Sequence, residues 1–484
     1  MFIKALRIEN FKPFTSDKPL VLTDLNVPDN THEGTGLNVL VGENGCGKTT
    51  ILDALALPLL SYKADGIAIN DFNDPNSAIL VTIHSHEPFN VSKTMPKQSF
   101  SSCGLVFKAK LRDRATKNYL SSIVVSDQLF LPADNEESVK EGSVDLRVNV
   151  NNPFSGPRFS ENEVLFLDKN RTNQTRTGTY NNTRFDRLME DLNFQYLSKC
   201  DKIPNDIDNL VSKTVKQTAQ NDFLVEIIDK TSGIIGQDIR LHLLDNWKPY
   251  STAFFSIKKE NNQFLNLNML GSGYEMIFSL IFASTLSKQS NKQLIVMIDE
   301  PELHMHPKLQ EKLCTLLIEL SKESQIFIST HSPLLVKQLR KNKKSKFMIL
   351  RKQERNVIVS DMDSGVLPYI SANEINYLAF DLPSAEFHDE LYGHLMSELE
   401  EFTSESFDKR LTENFFMKKC KQWQQEKKGK IFGSMKDVTL QTFIRHKLHH
   451  PENLTMQSDC FTTDELKISI DEMIAIINLV KGED

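Results

Sequence analysis

The sequence predicts an α/β fold: a sheet carrying a glycine-rich turn, a β-rich subdomain, an inserted helical region and a mainly helical C-terminal domain. Three observations predict it. The apolar run "LNVLVG" leads into two further glycines and then an amphipathic helical pattern. Between 264 and 360 apolar strands alternate with helices, as in a parallel sheet covered on both faces. Beyond about 365, helical periodicity dominates and acidic residues gather at Glu386, Asp389, Glu390, Glu398, Glu400 and Glu401.

A chain of 484 residues exceeds the roughly 250 to 300 residues at which a single core stops growing. The pattern divides it into an N-terminal lobe at 1–130, an insertion at 131–262, a second lobe at 263–365 and a helical domain at 366–484. In the first lobe "FIKALRIENF" and "LNVLVG" read as strands and "TTILDALALPLL" as a helix ended by Pro58. The segments "SAILVTIHS", "GLVFKAKL" and "LSSIVVSD" alternate like antiparallel strands. The insertion opens as a polar, irregular loop to about 163, followed by the strand "EVLFLDK" and a largely helical stretch that includes "FLVEIIDKTSGIIGQDI". The second lobe reads as strand "FLNLNML", helix "YEMIFSLIFASTLSK", strand "QLIVMIDE", helix "HPKLQEKLCTLLIELSK" and strand "QIFIST".

Charge and cysteine usage exclude several classes. A net charge of −7 gives no whole-chain basic field, so contact with DNA or RNA must come from local patches. Two candidates are Lys169, Arg171, Arg176, Arg184 and Arg187, and the run 337–352 with eight positive side chains. Most such runs are simply solvated loops. The six cysteines lack CxxC spacing, which argues against a disulfide framework or a zinc site and for a reducing compartment. The N-terminus "MFIKALRIENFKPF" is strand-like, and no run reaches the 18 or so apolar residues of a membrane span. A cytoplasmic protein without a membrane partner is expected.

Four motifs carry chemistry. Gly42-Glu43-Asn44-Gly45-Cys46-Gly47-Lys48-Thr49 fits the P-loop pattern between a strand and a helix. Backbone N–H groups of Asn44 through Thr50 can curl around phosphates, Lys48 can reach the terminal phosphates, and Thr49 can hold Mg²⁺. The strand "LIVMIDE" ends in Asp299, placed for the metal, and Glu300, placed to activate a water. In isolation such a pair is also an ordinary solvated strand end. His331 closes "FISTH", where a buried strand could deliver it to the terminal phosphate. Leu270-Gly271-Ser272-Gly273 precedes a helix and offers an anion-binding start, or merely a cap.

In the chain order glycine loop, LGSG, "IDEPE" and "STHSP", these motifs resemble the ABC-type ATPase head of SMC-like repair ATPases, OLD-family ATPases and several anti-phage ATPases, over roughly residues 1 to 355. The resemblance implies two heads sandwiching two Mg·ATP. Lys48, Thr49, Asp299, Glu300 and His331 then act in cis, and Ser272 and Gly273 in trans. The signature reads LGSGY, unlike the transporter-type LSGGQ, and no glutamine-loop residue is identified. Without sustained heptads, neither a cohesin-like arm nor a transporter is favoured. The segments "LDKNRTNQTRTGTYNNTRFDRLMEDLNFQY", "EINYLAFDLPSAEFHDELYGHL" and "QTFIRHKLHHPENL" are similar to those of PtuA, the ATPase family of Septu-type anti-phage systems, also found with some retrons. That likeness implies dimers or larger homo-oligomers, partnered with the HNH nuclease PtuB.

Two nuclease readings stand beside it. An OLD-like Toprim site needs a Glu after one strand and an Asp-x-Asp after another. Asp361-Met362-Asp363 lacks such a Glu and reads as a turn. Arg445 and His450 match the Arg-polar-x-x-x-His spacing of HEPN-type ribonucleases, and His446 and His450 lie one helical turn apart, as a metal pair would. A basic helix end before Pro451 explains them equally. The third alternative is an SMC-like DNA-repair ATPase.

Overall fold

The computed structural model describes residues 1–60, 66–90, 99–109, 119–126, 144–147, 162–168, 222–242, 254–258, 264–266, 271–303, 305–353, 356–361, 366–369, 371–427, 430–453, 456 and 458–482. Two compact units result, Met1–Ser360 and Asp361–Asp484. The α/β fold class read from the sequence is the one observed, with ten α-helices among the described residues.

The first unit is built on two six-stranded sheets. One has the order β2-β1-β4-β5-β6-β7, from β1 (Ile3–Glu9), β2 (Leu20–Leu22), β4 (Ile79–Asn90), β5 (Ser99–Phe107), β6 (Leu120–Ser126) and β7 (Val144–Arg147), with antiparallel neighbours throughout. The other has the order β15-β14-β3-β13-β12-β8, from β3 (Leu37–Gly42), β8 (Asn162–Leu167), β12 (Gln293–Asp299), β13 (Gln325–Thr330), β14 (Lys346–Gln353) and β15 (Asn356–Asp361). From β14 through β8 its neighbours run parallel. Every residue of β3 and β13 is buried, which is why these strands read as continuous apolar runs.

Helix α1 (Lys48–Ala56) packs against β1 of one sheet and β3, β12 and β13 of the other. That placement explains its sequence: Ile51, Leu52, Ala54, Leu55 and Ala56 are all 0% exposed, and only the polar Thr49 and Asp53 are partly exposed. Burying Ile51, Leu52 and Leu55 contributes about 1.5 to 3 kcal/mol each. The sheets are also joined by one buried amide. Gln325 Oε1 accepts the Ile3 N–H at 2.8 Å, and its Nε2 donates to the Ile3 carbonyl at 2.6 Å and the Asn26 carbonyl at 2.9 Å. With both ends of the amide used, a fully buried Gln becomes a link instead of a cost.

Several expectations change. Part of the supposed loop 131–163 is strand, since β7 pairs with β6 and Asn162 already begins β8. Helix α2 (Asp222–Ile235) stops before "GQDI", because Gly236 turns left-handed at φ +74°, and β9 (Ile239–His242) follows. β9 joins β10 (Phe254–Lys258) and β11 (Phe264–Asn266) in a small antiparallel sheet. The run 337–352 is the end of a helix, a turn and strand β14, whose Phe347, Met348, Ile349 and Leu350 are buried between the charges. Lys169, Arg171, Arg176, Arg184, Arg187 and the rest of 169–221, where helix was expected, lie outside the described residues. So do Met362 and Asp363 of the Asp-x-Asp pattern. Among the described residues no helix is long and apolar enough to cross a membrane.

Among the described residues the second unit has five helices, α6 (Ala372–Phe380), α7 (Ala385–Glu398), α8 (Ser404–Asn414), α9 (Leu440–His449) and α10 (Thr463–Lys481). Each starts on a hydroxyl cap, Ser371, Ser384, Thr403, Thr439 or Thr462, whose oxygen accepts an amide of the first turn. Between α8 and α9 lies an antiparallel hairpin, β16 (Lys419–Lys427) and β17 (Lys430–Thr439). Phe387, Leu391, Tyr392, Phe407, Phe443 and Ile470 form its core.

One histidine of this unit is buried and a second is half-buried. His388 is 0% exposed with Nε2 3.0 Å from Ser469 Oγ, and burial brings its pKa down to about 3. His446 stacks on Trp423 at a 5.0 Å ring separation, and burial, with the neighbouring His450, brings it down to about 4. Both are neutral in the fold, whereas the unfolded value is 6.5. Below that value the unfolded chain binds protons that the fold excludes, so stability is full above pH 6.5 and lost as pH falls, toward 4 for His446 and toward 3 for His388. The urea midpoint of the full chain should therefore drop between pH 7 and pH 5. His446→Phe, which keeps a ring on Trp423, should drop less, and an identical drop would refute the assignment of part of this loss to His446.

Candidate functional site

Three parallel strands end side by side. Asp299, last in β12, lies beside Ser329 of β13, and Thr330 lies beside Val41 of β3, one residue before Gly42. Side chains distant in sequence therefore converge at the C-terminal edge of the sheet, where ligands of such sheets collect. Thr49 Oγ1 donates to both carboxylate oxygens of Asp299, at 3.1 and 3.0 Å, and Ser329 Oγ donates to Oδ1 as well. Asp299 is 2% exposed. Burial pushes its carboxyl up, while the Ser329 and Thr49 hydroxyls pull it back. The donor set, a carboxylate and a hydroxyl, is that of a hard divalent cation such as Mg²⁺.

The glycine loop faces this pair. Glu43, Asn44 and Gly45 are exposed, and a Cβ at Gly45 would meet nothing within 4 Å. Gly47 sits at φ +90°, and a Cβ there would come 3.0 Å from Phe14 Cζ, so both conformation and packing require glycine. Lys48 is nearly buried, and its Nζ donates to the carbonyls of Gly42 and Glu43 at 2.7 Å each, which holds the ammonium inside the loop. Cys46 and Thr50 are buried; Cys46 Sγ lies 3.7 Å from Lys48 Nζ, and burial pushes its thiol up. An open backbone cradle, an enclosed ammonium and a carboxylate–hydroxyl pair fit a nucleoside triphosphate with its metal.

Beyond Asp299 the chain turns sharply. Glu300 is left-handed at φ +48°, costing roughly 1 to 3 kcal/mol for a residue with a Cβ. Its N–H donates to the Ser329 carbonyl at 3.0 Å. The turn brings Glu300 Oε1 to 3.7 Å from His331 Nδ1. Glu302, 8% exposed, accepts the Thr330 hydroxyl at 2.8 Å and the His331 N–H at 3.0 Å. Helix α4 (Pro307–Leu320) then starts on His306, and α5 (Pro333–Leu339) on Ser332, each followed by Pro at the first helical position.

Ser272 and Gly273 open helix α3 (Ser272–Gln289), with Gly271 as N-cap at φ +105°. Gly271 is the open glycine: a Cβ there would meet nothing within 4 Å. At Gly273 a Cβ would approach Met305 Cγ to 2.9 Å and Leu309 Cδ2 to 3.2 Å, so that glycine serves packing against the neighbouring turn and helix. Leu270 and the Ser272 side chain lie outside the described residues.

Lys48, Thr49, Asp299, Glu300 and His331 thus share one edge of one sheet. Arg445 and His450 lie in the second unit, each with an acidic partner of its own. Arg445 pairs with Asp389, which also accepts His449 Nε2 at 2.8 Å, while His450 Nδ1 faces Glu452 at 3.3 Å. Nor does the His446 and His450 pair belong to a group of three or more His, Cys, Asp or Glu able to hold a metal, of which there is none among the described residues. Two participants were given no role by sequence: Ser329 and Glu302. Only the fold shows what they touch, Asp299 for Ser329 and the Thr330 hydroxyl for Glu302.

A family model described as an AAA ATPase domain matches residues 1–336. The chain is similar to the OLD nuclease of Thermus scotoductus, 24% identical over 359 residues and covering 69% of this chain and 59% of that protein. It is also similar to the Retron Vc95 probable ATPase of Vibrio cholerae serotype O1 biovar El Tor, 22% identical, with 62% of this chain and 66% of the relative covered. The Retron Ec83 probable ATPase of Escherichia coli is 24% identical, with 68% of each chain covered. The chain thus spans less than two thirds of the first two relatives. A glycine loop, a buried strand-end aspartate and a family match over 336 of 484 residues agree: the chain belongs to the AAA ATPase domain family.

Proposed function

We propose that the chain is the ATP-binding and ATP-hydrolysing sensor-regulator subunit of an anti-phage defence complex, which controls an associated HNH nuclease of the PtuB kind. The observation that carries the ATP site is the pair of bonds from Thr49 to Asp299, which joins the glycine loop to the strand-end carboxylates. The defence setting is supported by the two retron ATPases and the OLD nuclease among the relatives, and by the PtuA-like segments.

In this reading the loop amides from Asn44 to Thr50, together with Lys48, bind and orient the phosphates. Thr49 and Asp299 hold Mg²⁺, which when bound withdraws charge from the terminal phosphate. Glu300 takes the proton of the attacking water, and His331 holds that phosphate from the other side. The α3 start, Gly271 to Gly273 with Gly271 exposed, completes the site on a second copy, head to head. Closure adds its contacts, and hydrolysis removes them. A partner nuclease, with DNA or RNA as its substrate, reads the closed state.

Lys48→Ala should abolish nucleotide binding measured with a fluorescent ATP analogue. Glu300→Gln should bind ATP normally yet hydrolyse it about 100-fold or more slowly, the scale of a lost general base. An inactive wild-type chain would sink the ATPase reading.

The trans arrangement has its own check. Lys48→Ala and Ser272→Arg subunits, each inactive alone, should regain ATPase activity on mixing because a mixed dimer keeps one intact site; no recovery at matched assembly contradicts it.

The purified chain alone should leave DNA and tRNA intact with or without metal, and cleave only with its HNH partner. Intrinsic cleavage lost in His450→Ala but kept in Glu300→Gln would overturn this division of labour.

A further inference from the structure

The sequence motifs assign no role to the carboxylate of Glu302, yet it is among the most enclosed charges near the site. Its side chain is 7% exposed. Oε1 accepts two hydrogen bonds, from Thr330 Oγ1 at 2.8 Å and the His331 backbone N–H at 3.0 Å, and Oε2 has no hydrogen-bond partner. A buried carboxylate left half-satisfied is costly, so its position calls for a role.

The ring of His331 supplies one. Nδ1 is itself buried without a hydrogen-bond partner, and it lies between two carboxylate oxygens, Glu302 Oε1 at 3.5 Å and Glu300 Oε1 at 3.7 Å. Facing two acceptors, that nitrogen is satisfied only when it carries the hydrogen. The side chain is nonetheless 37% exposed, and with Nδ1 enclosed the exposure belongs to the remainder of the ring. Nε2 is then the nitrogen that meets solvent or ligand.

We infer that Glu302 is a positioning residue: it fixes the backbone and the tautomer of His331, so that Nδ1–H points inward and Nε2 is presented to the terminal phosphate. This rests on the reading of the edge as an ATP site. Glu300 then has two duties, orienting His331 from one side and activating water from the other, whereas Glu302 acts only through His331.

A double-mutant cycle on the full chain tests this. Glu302→Gln keeps the shape and the acceptor oxygen but removes the negative charge facing Nδ1. It should lower kcat roughly 10- to 100-fold, the usual loss for an orienting partner of a site histidine, with KM and the affinity for the fluorescent ATP analogue within threefold. In a His331→Ala background the same change should have no further effect, because its only route is gone. Equal losses in both backgrounds, or an unchanged kcat in Glu302→Gln, would overturn the inference while the wild-type ATPase stands. Inactivity of the wild-type chain would instead remove the ATPase reading, and the inference with it. Should Glu302→Gln fail to fold, Thr330→Val, which removes the hydroxyl that donates to Oε1, enters the same cycle and is judged by the same outcomes.

Discussion

One buried carboxylate organises the first unit. Asp299 is held by hydroxyls from opposite sides, Thr49 at the start of α1 and Ser329 at the end of β13. Hydrogen bonds to a charged group contribute about 1.5 to 3 kcal/mol each, and losing either leaves a desolvated charge with fewer partners. The geometry is possible only because α1 is clamped between two sheets, which fixes Thr49, and because β12 and β13 share a parallel register, which fixes Ser329 opposite Asp299. Sheet, helix and site are in that sense one arrangement.

How much of this was legible depends on what each signal encodes. Strands β3, β12 and β13 were visible because burial on both faces demands continuous apolar runs, and α4 because one buried stripe, with Leu313, Leu316, Leu317 and Leu320, repeats at helical spacing. The hairpin β16–β17 was not, since Lys419-Cys420-Lys421-Gln422-Trp423-Gln424-Gln425-Glu426-Lys427 offers Trp423 as its one large buried apolar side chain. The basic run 337–352 looked like a loop because its charges outnumber the apolar residues that make β14 a central strand. At the candidate site, the residues with intrinsic chemistry were readable from spacing, and the residues that position them were not. Ser329 and Glu302 acquire meaning only from what lies on the adjacent strand or turn.

The two glycines of the LGSG segment show the same limit from another side. Letters alone make Gly273 the natural anion contact, next to the serine. In the fold it is the glycine pressed against Met305 and Leu309, while Gly271 carries the left-handed backbone and the open space. One glycine lets the helix approach its neighbour, and the other leaves its start uncovered. A pattern of small residues thus splits into two physical demands that a motif records as one.

The amide of Gln325 bears on how the chain is born. Its partner Ile3 stands 322 residues earlier, so at about 5 to 20 residues per second the ribosome takes roughly 16 to 64 seconds to supply it. Through that interval β1 can pair with β2 and β4, both close by in the chain, but its link to the second sheet stays unmade. The nascent first lobe therefore waits with an apolar face and a polar seam uncovered, a window in which chaperone capture or premature association competes with completion of the fold.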